Sequence, residues 1–237
     1  MTASVIEIRQ RLEALADPER ASVSQRFFKT GPGEYGEGDV FRGVRVPLLR
    51  KLSRAYRELS PEAVDELLRS PIHEERLLSL FILVLRFQQA GSTERRRIYT
   101  LYLKRLDRIN NWDLVDASAE HIVGAYLSDR SRTPLYRLAR SPVLWERRIA
   151  IMATFHYIKH LQFDDTFKIA DMLLEDKEDL IHKAVGWMLR EIGKRDLPRE
   201  ECFLVERYHR MPRTMLRYAI ERFPEERRQA YLKGNIR

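Results

Sequence analysis

Apolar residues recur along this chain at spacings of three and four. Leu48, Leu49, Leu52, Tyr56 and Leu59 form one such set, Ala63, Leu67 and Leu68 the next, and Leu77, Leu80, Phe81, Val84 and Leu85 a third. That period gathers them on one side of an α-helix. No stretch of four or more residues alternates between apolar and polar in the manner of a strand. The helix starts are marked as well. Asp17-Pro18, Ser60-Pro61, Ser70-Pro71 and Ser141-Pro142 each set a capping side chain before a proline, whose missing N–H costs nothing in a first helical turn. The pattern predicts an all-α fold.

A longer period lies over the short one. Segments opening at Ser70, Ile109, Ser141, Glu178 and Pro212 each begin with a turn, carry a polar or charged pair, and then run apolar for two to three helical turns. Anchored on Arg76, Asp113, Arg148, Lys183 and Arg217, they are spaced by 37, 35, 35 and 34 residues. Other amphipathic stretches, such as Arg95 to Leu106 and Thr166 to Leu174, fall between them. Two helices per repeat describe a HEAT-like α-solenoid, a little under the usual ~40–47 residues. The Trp-Leu-Gly-Tyr pattern of tetratricopeptide repeats is missing. The expected organisation is a single curved domain over 1–237: an N-terminal helical segment 1–30, a Gly-rich loop 31–43, either functional or an insertion with Gly31–Gly38 resembling the latter, and repeats over 44–237. The five anchors would then line a mostly cationic concave face, with Asp113 the one acid in it.

Charge sharpens this picture. The net charge is +8, with 34 Arg to 9 Lys, and the planar guanidinium suits phosphate better than an ammonium does. Arg42, Arg45, Arg50, Lys51, Arg54 and Arg57 form one cluster, and Arg130, Arg132, Arg137, Arg140, Arg147 and Arg148 a second. A polyanionic partner follows, nucleic acid above all. No apolar run approaches the ~18 residues of a membrane span. The start MTASVIEIRQRL has no apolar core of a secretory signal, so the expected location is the cytoplasm, on the nucleoid when bound to DNA. The one cysteine, Cys202, excludes an internal disulfide and a cysteine-based zinc site; it reads as a small buried apolar residue. His156 and His160 are four apart, but no glutamate follows the first, so the H-E-x-x-H zinc pattern is absent. No P-loop, Rossmann fingerprint or G-x-S-x-G elbow occurs. Neither metal nor cofactor is expected.

The segment Trp112-Asp113-Leu114-Val115-Asp116 is the richest in chemistry. Trp112 and Asp116 stand at i and i+4, on one helical face, with Leu114 and Val115 turned toward the core. Asp113 suits a role at the helix start, whereas Asp116 lies too deep for capping. Trp187, with Arg190 and Glu191, forms a similar constellation.

Four stretches together, NNWDLVD (Asn110–Asp116), LWERRIA (Leu144–Ala150), HKAVGWMLREIGK (His182–Lys194) and GVRVPLLRKL (Gly43–Leu52), resemble the AlkD family of alkylpurine DNA glycosylases. The likeness spans about Arg42 to Lys194. It implies a HEAT-like solenoid that grips duplex DNA and hydrolyses the N-glycosidic bond of cationic N3- and N7-alkylated purines. It further implies Asp116 as the catalytic carboxylate, Trp112 and Trp187 flanking the damaged nucleotide's sugar, and Arg148 on backbone phosphate. Arg147, Lys183, Arg190 and Arg45 complete the expected DNA-binding set. Asn111 stands where the family often has an aromatic residue, and Phe27 where it has a tyrosine.

The chemistry agrees. A purine already cationic from alkylation leaves as a neutral base, and one carboxylate can stabilise the oxocarbenium-like sugar and direct water to it. The enzyme so expected is a monomeric, metal-free, monofunctional glycosylase whose partner is alkylated double-stranded DNA. Two other readings fit the solenoid: a HEAT-like DNA-binding protein without catalysis, and a scaffold for an acidic protein partner. Asp116 beside Trp112 argues against the first, because a plain phosphate grip gains nothing from an acid that repels DNA.

Overall fold

The computed structural model describes residues 4–236. The ends of the expected N-terminal segment (1–3) and repeat region (237) therefore lie outside the described residues. The all-α expectation holds: among the described residues the only β pairing is an isolated parallel bridge between Val40 and Ile72. The chain divides into two compact units, one ending at Ile122 and the other beginning at Val123.

The first unit holds α1 (Val5–Glu13), α2 (Pro18–Phe27), α3 (Val46–Ala55), α4 (Pro61–Leu68), α5 (His73–Gln89), α6 (Ser92–Lys104) and the five-residue α7 (Trp112–Asp116). Its centre is α5, which is buried on nearly every side from His73 to Phe87 because α3, α4, α6 and α7 all lie against it. A helix enclosed this way loses its amphipathic stripe, which explains why its apolar run is so continuous. The second unit holds α8 (Thr133–Ala139), α9 (Leu144–Ala153), α10 (Phe155–Lys159), α11 (Asp164–Met172), α12 (Asp179–Gly193), α13 (Leu197–Arg207), α14 (Arg213–Ala219) and α15 (Glu225–Lys233). Here α12 is central and packs on α9, α13 and α14. At Gly186 the α14 backbone comes so close that an added Cβ would lie 2.4 Å from the Met215 carbonyl oxygen. The helices pack in pairs within each unit, as an α-solenoid requires.

Two of the four expected caps form as read. Asp17 Oδ1 accepts from Arg20 N at 3.0 Å and Ser60 Oγ from Ala63 N at 3.2 Å. The other two do not. Ser70 and Ser141 accept from N–H groups only two residues on, Ile72 and Val143, and the helices begin later, at His73 and Leu144. The cause is a pair of equivalent arginines. Arg76 donates to the carbonyls of Ser70 and Pro71 at 3.0 and 3.2 Å, and Arg147 to those of Ser141 and Pro142 at 3.1 and 2.9 Å. Each also engages an aspartate, Asp39 for Arg76 and Asp176 for Arg147. The Ser-Pro pairs are thus turns held by a side chain reaching back, not first helical turns. This match also shifts the repeat register by one residue, so that Arg147 rather than Arg148 corresponds to Arg76.

Two further expectations are corrected. Arg76 cannot belong to a surface cationic stripe, since it is only 2% exposed and its two terminal nitrogens are spent on that turn and on Asp39. Cys202 is exposed rather than buried, because α13 turns Phe203 and Leu204 inward and leaves Cys202 on the outer side. Among the described residues no helix is long and apolar enough to cross a membrane, and no group of three or more His, Cys, Asp or Glu could hold a metal ion.

Candidate nucleic-acid site

In the first unit the site is built on α7. Asn111 is extended, and its side-chain oxygen accepts from Trp112 N at 2.9 Å, which opens the short helix. Leu114 and Val115 are fully buried. This leaves Trp112, Asp113 and Asp116 half-buried on the other side, as the spacing predicts. A π-helical turn over Glu120–Gly124 follows; such turns are frequent at functional sites.

Trp112 does not stand alone. Phe28 stacks on it with centroids 5.2 Å apart, and Phe27, 63% exposed, meets it edge-on at 6.0 Å. Phe28 also stacks on Phe41 at 4.9 Å, and Phe41 on His73 at 4.4 Å. A column of rings thus runs from α2 and the Gly-rich loop to the start of α5, with the indole at one end.

Asp116 borders a cavity of about 210 Å³, lined also by Arg50 and Arg54 of α3, Phe81 and Gln88 of α5, and His121. Arg50 lies over the Phe81 ring at 4.3 Å. Arg45, Arg50, Lys51 and Arg54 are all exposed, and none of the four forms an ion pair among the described residues. They sit at or after the start of α3, whose inner positions Leu49 and Leu52 are buried. These four members of the first basic cluster therefore form an open cationic face bordering a carboxylate, while Arg42 and Arg57 are paired with acids. Below it, burial and the nearby Asp116 charge raise the Tyr102 hydroxyl above its ordinary value, which keeps it a neutral partner of Ser118.

The Gly-rich loop, read as either functional or an insertion, is part of this construction. Val40 N donates to the Pro71 carbonyl and His73 N to that of Val40. Glu74 gathers the N–H groups of Arg42, Gly43 and Val44. Gly36 lies so close to the end of α2 that a Cβ there would be 2.3 Å from the Phe28 carbonyl oxygen. The loop delivers Phe41 to the ring column and the buried Asp39 to a polar cluster with His73, Arg76, Asn111 and Asp113. Sequence reasoning missed Asp39 and His73. The available signal was the loop's density of turn residues next to an aspartate, together with Asn111 in place of an aromatic residue.

In the second unit Trp187 is half-buried. Its Nε1 donates to Glu191 Oε1 at 3.3 Å, and Phe155 lies 6.2 Å from its ring. Burial works against the Glu191 charge, but Lys194 at 2.6 Å and Arg195 at 3.0 Å overcome it and hold the carboxyl below its usual range. The expected cations of this unit are largely committed within the fold. Arg147 pairs with Asp176, Lys183 with Asp179 at 2.7 Å, and Arg190 with Glu221. Arg148 is 5% exposed and donates to the Leu180 carbonyl. Arg130 and Arg132 pair with Asp129 and Asp165. Of the two basic clusters, the one on α3 keeps Arg45, Arg50, Lys51 and Arg54 exposed without an ion pair among the described residues, and the second keeps Arg137 and Arg140.

Comparison with known proteins bears on this geometry. A family model described as DNA alkylation repair enzyme matches residues 8–223. Among solved structures, a predicted DNA alkylation repair enzyme from Enterococcus faecalis is similar over 89% of this chain and 97% of its own, with a TM-score of 0.67 at 18% identity. None of the curated proteins compared matches the chain.

Proposed function

This chain belongs to the DNA alkylation repair enzyme family, and from that premise we propose that it is a DNA glycosylase removing cationic N3- and N7-alkylated purines from duplex DNA. The observation that carries the reading is the position of Asp116. It is a half-buried carboxylate bordering an open cavity, one helical turn from Trp112, with two exposed guanidiniums of α3 on the same cavity wall. A phosphate held by Arg50 and Arg54 brings the adjoining deoxyribose toward Asp116.

The C1′–N9 bond breaks with its electrons passing to the purine, which neutralises the charge that alkylation placed there. Water forms the new bond to C1′ and gives up a proton to the solvent. Asp116 opposes the positive charge that grows on the sugar and orients that water. Trp112 offers one electron-rich face to the same charge, its other face being taken by Phe28. In the second unit Trp187, fixed by Glu191, presents an indole of the same kind. Arg45 adds to the phosphate grip of α3. Arg148, Arg147, Lys183 and Arg190 contribute through the shape of the second unit as well as through charge.

The direct test is incubation with a duplex carrying a single N7-methylguanine, followed by detection of the released base. Release that depends on Asp116 supports the reading. Tight duplex binding with no release would favour a DNA-binding protein without catalysis.

A further inference from the structure

Both ring nitrogens of His73 face carboxylate oxygens. Nδ1 lies 3.0 Å from Asp39 Oδ2 and Nε2 lies 2.8 Å from Asp113 Oδ2. A carboxylate oxygen only accepts hydrogen bonds, and a neutral imidazole has one N–H to donate. Satisfying both contacts takes two, so the ring between them is an imidazolium. The surrounding charges balance it. Arg76 reaches the other oxygen of Asp39 at 2.5 Å, so two cations and two carboxylates sum to zero in a cluster whose His73, Arg76 and Asp39 are buried and whose Asp113 lies half-buried at its edge. Asn111 adds a hydrogen bond to Asp39 at 3.2 Å. The neighbouring acids on α5 are engaged elsewhere, Glu74 with loop N–H groups and Glu75 with Arg9 and Arg42. Phe41 and Phe28 pack against the imidazole ring at 4.4 and 5.2 Å.

This cluster grips α7 on both sides of the tryptophan. Asn111 precedes Trp112 and is tied to Asp39, while Asp113 follows it and is tied to His73. The other oxygen of Asp113 accepts from Leu114 N at 2.9 Å, so the clamp reaches the helix backbone itself. The ring column beneath the indole ends on the same imidazolium. A five-residue helix makes few hydrogen bonds of its own, so its attitude is decided by such outside contacts.

We propose that His73 is a positioning residue: as an imidazolium between Asp39 and Asp113 it locks the first turn of α7, and so fixes the indole of Trp112 and the carboxylate of Asp116 relative to the substrate's sugar. This rests on the glycosylase reading for its effect on rate, but not for its effect on Trp112. Loss of the ring proton leaves a net negative buried cluster in which one carboxylate faces a lone pair, and Asp113 is released. Burial works against the charged ring, but Asp113 and Asp39 overcome it and raise its pKa to about 9, with Arg76 opposing. The lock therefore opens in the alkaline range.

The test follows two signals from about pH 6 to about pH 10 in the full-length protein: the indole N–H resonance of Trp112, assigned with Trp112→Phe, and single-turnover excision from methylated duplex. Both are expected to change together, at the midpoint where the His73 ring itself titrates. Excision should fall by about tenfold or more while duplex affinity stays level. Asp113→Asn is expected to move that midpoint to lower pH. His73→Gln should abolish it and hold excision at the low alkaline value throughout. Should His73→Gln fail to fold, the wild-type titration and Asp113→Asn carry the test. A Trp112 resonance that ignores the His73 titration would overturn the proposal, as would wild-type rate and pH profile in folded His73→Gln. A protein that excises nothing, yet whose Trp112 resonance follows His73, would retain the clamp and lose the glycosylase reading.

Discussion

Phe28 stacks on Trp112 with ring centroids 5.2 Å apart and planes 17° from parallel. One face of the indole is thereby occupied inside the protein, which leaves only the other for a ligand. In the proposed glycosylase reaction Phe28 is a backing plate that keeps the ring from tilting away as charge develops. Phe28→Ala is expected to slow excision by about tenfold, ~1.4 kcal/mol, with duplex affinity nearly unchanged. Trp112→Ala should lose both rate and affinity for damaged DNA. Single-turnover excision alongside fluorescence anisotropy separates the two, and equal losses of affinity in both variants would remove Phe28 from the supporting role.

Asp116 and Asp113 are three residues apart and carry different work. Asp116 borders the cavity, while Asp113 bonds His73 and the Leu114 N–H. Asp116→Asn preserves shape and removes the charge that matters once the glycosidic bond breaks. It should cut excision by on the order of 10², or ~2.7 kcal/mol, with Tm unchanged and duplex affinity equal or slightly higher. Asp113→Asn should lower Tm, and should slow excision most between its own lowered midpoint and about 9, above which the wild type has lost the same lock. The reverse ranking would move the catalytic carboxylate to Asp113.

Binding to undamaged duplex should fall linearly with salt on a log–log plot, by about 0.9 per phosphate contacted. Arg50→Ala and Arg54→Ala should each make that slope shallower by about 0.9 with little change in Tm, because both side chains are exposed and neither forms an ion pair among the described residues. Arg148→Ala should lower Tm as well as affinity, since it leaves the Leu180 carbonyl without this donor. An unaltered slope in the α3 variants would place the phosphate grip elsewhere.

Glu200 offers a test of stability apart from function. Burial raises its carboxyl to about 9, with Glu201 adding to the rise and Arg190 opposing it, and its Oε1 has no hydrogen-bond partner. The folded protein thus holds a proton that the unfolded chain releases above the ordinary value of 4.5. Stability from this group therefore declines as pH climbs from there toward about 9. Glu200→Gln should gain Tm relative to wild type progressively across that window and level off above it. A difference that stays constant with pH would show that Glu200 does not titrate in the folded state.

What could be read directly from the chain was whatever neighbours in sequence decide. The three-and-four spacing yields the helices, since side chains that far apart share a helical face whatever surrounds them. Asp17 and Ser60 cap as expected because the N–H groups they accept from lie three residues on. Leu114 and Val115 turn inward and Trp112 and Asp116 outward by helical geometry alone. Ser70 and Ser141 look identical to Ser60 locally, and only arginines six residues later convert their Ser-Pro pairs into turns. Cys202 faces outward because α13 presents Phe203 and Leu204 to the core, which residue type does not reveal. His73 required the most: its partners stand 34 and 40 residues away, on a loop and on a different helix. No local pattern brings two carboxylates to one imidazole. That meeting is decided when the Gly-rich loop closes over α5, because a charge can be buried there only where tertiary structure supplies its counter-charges.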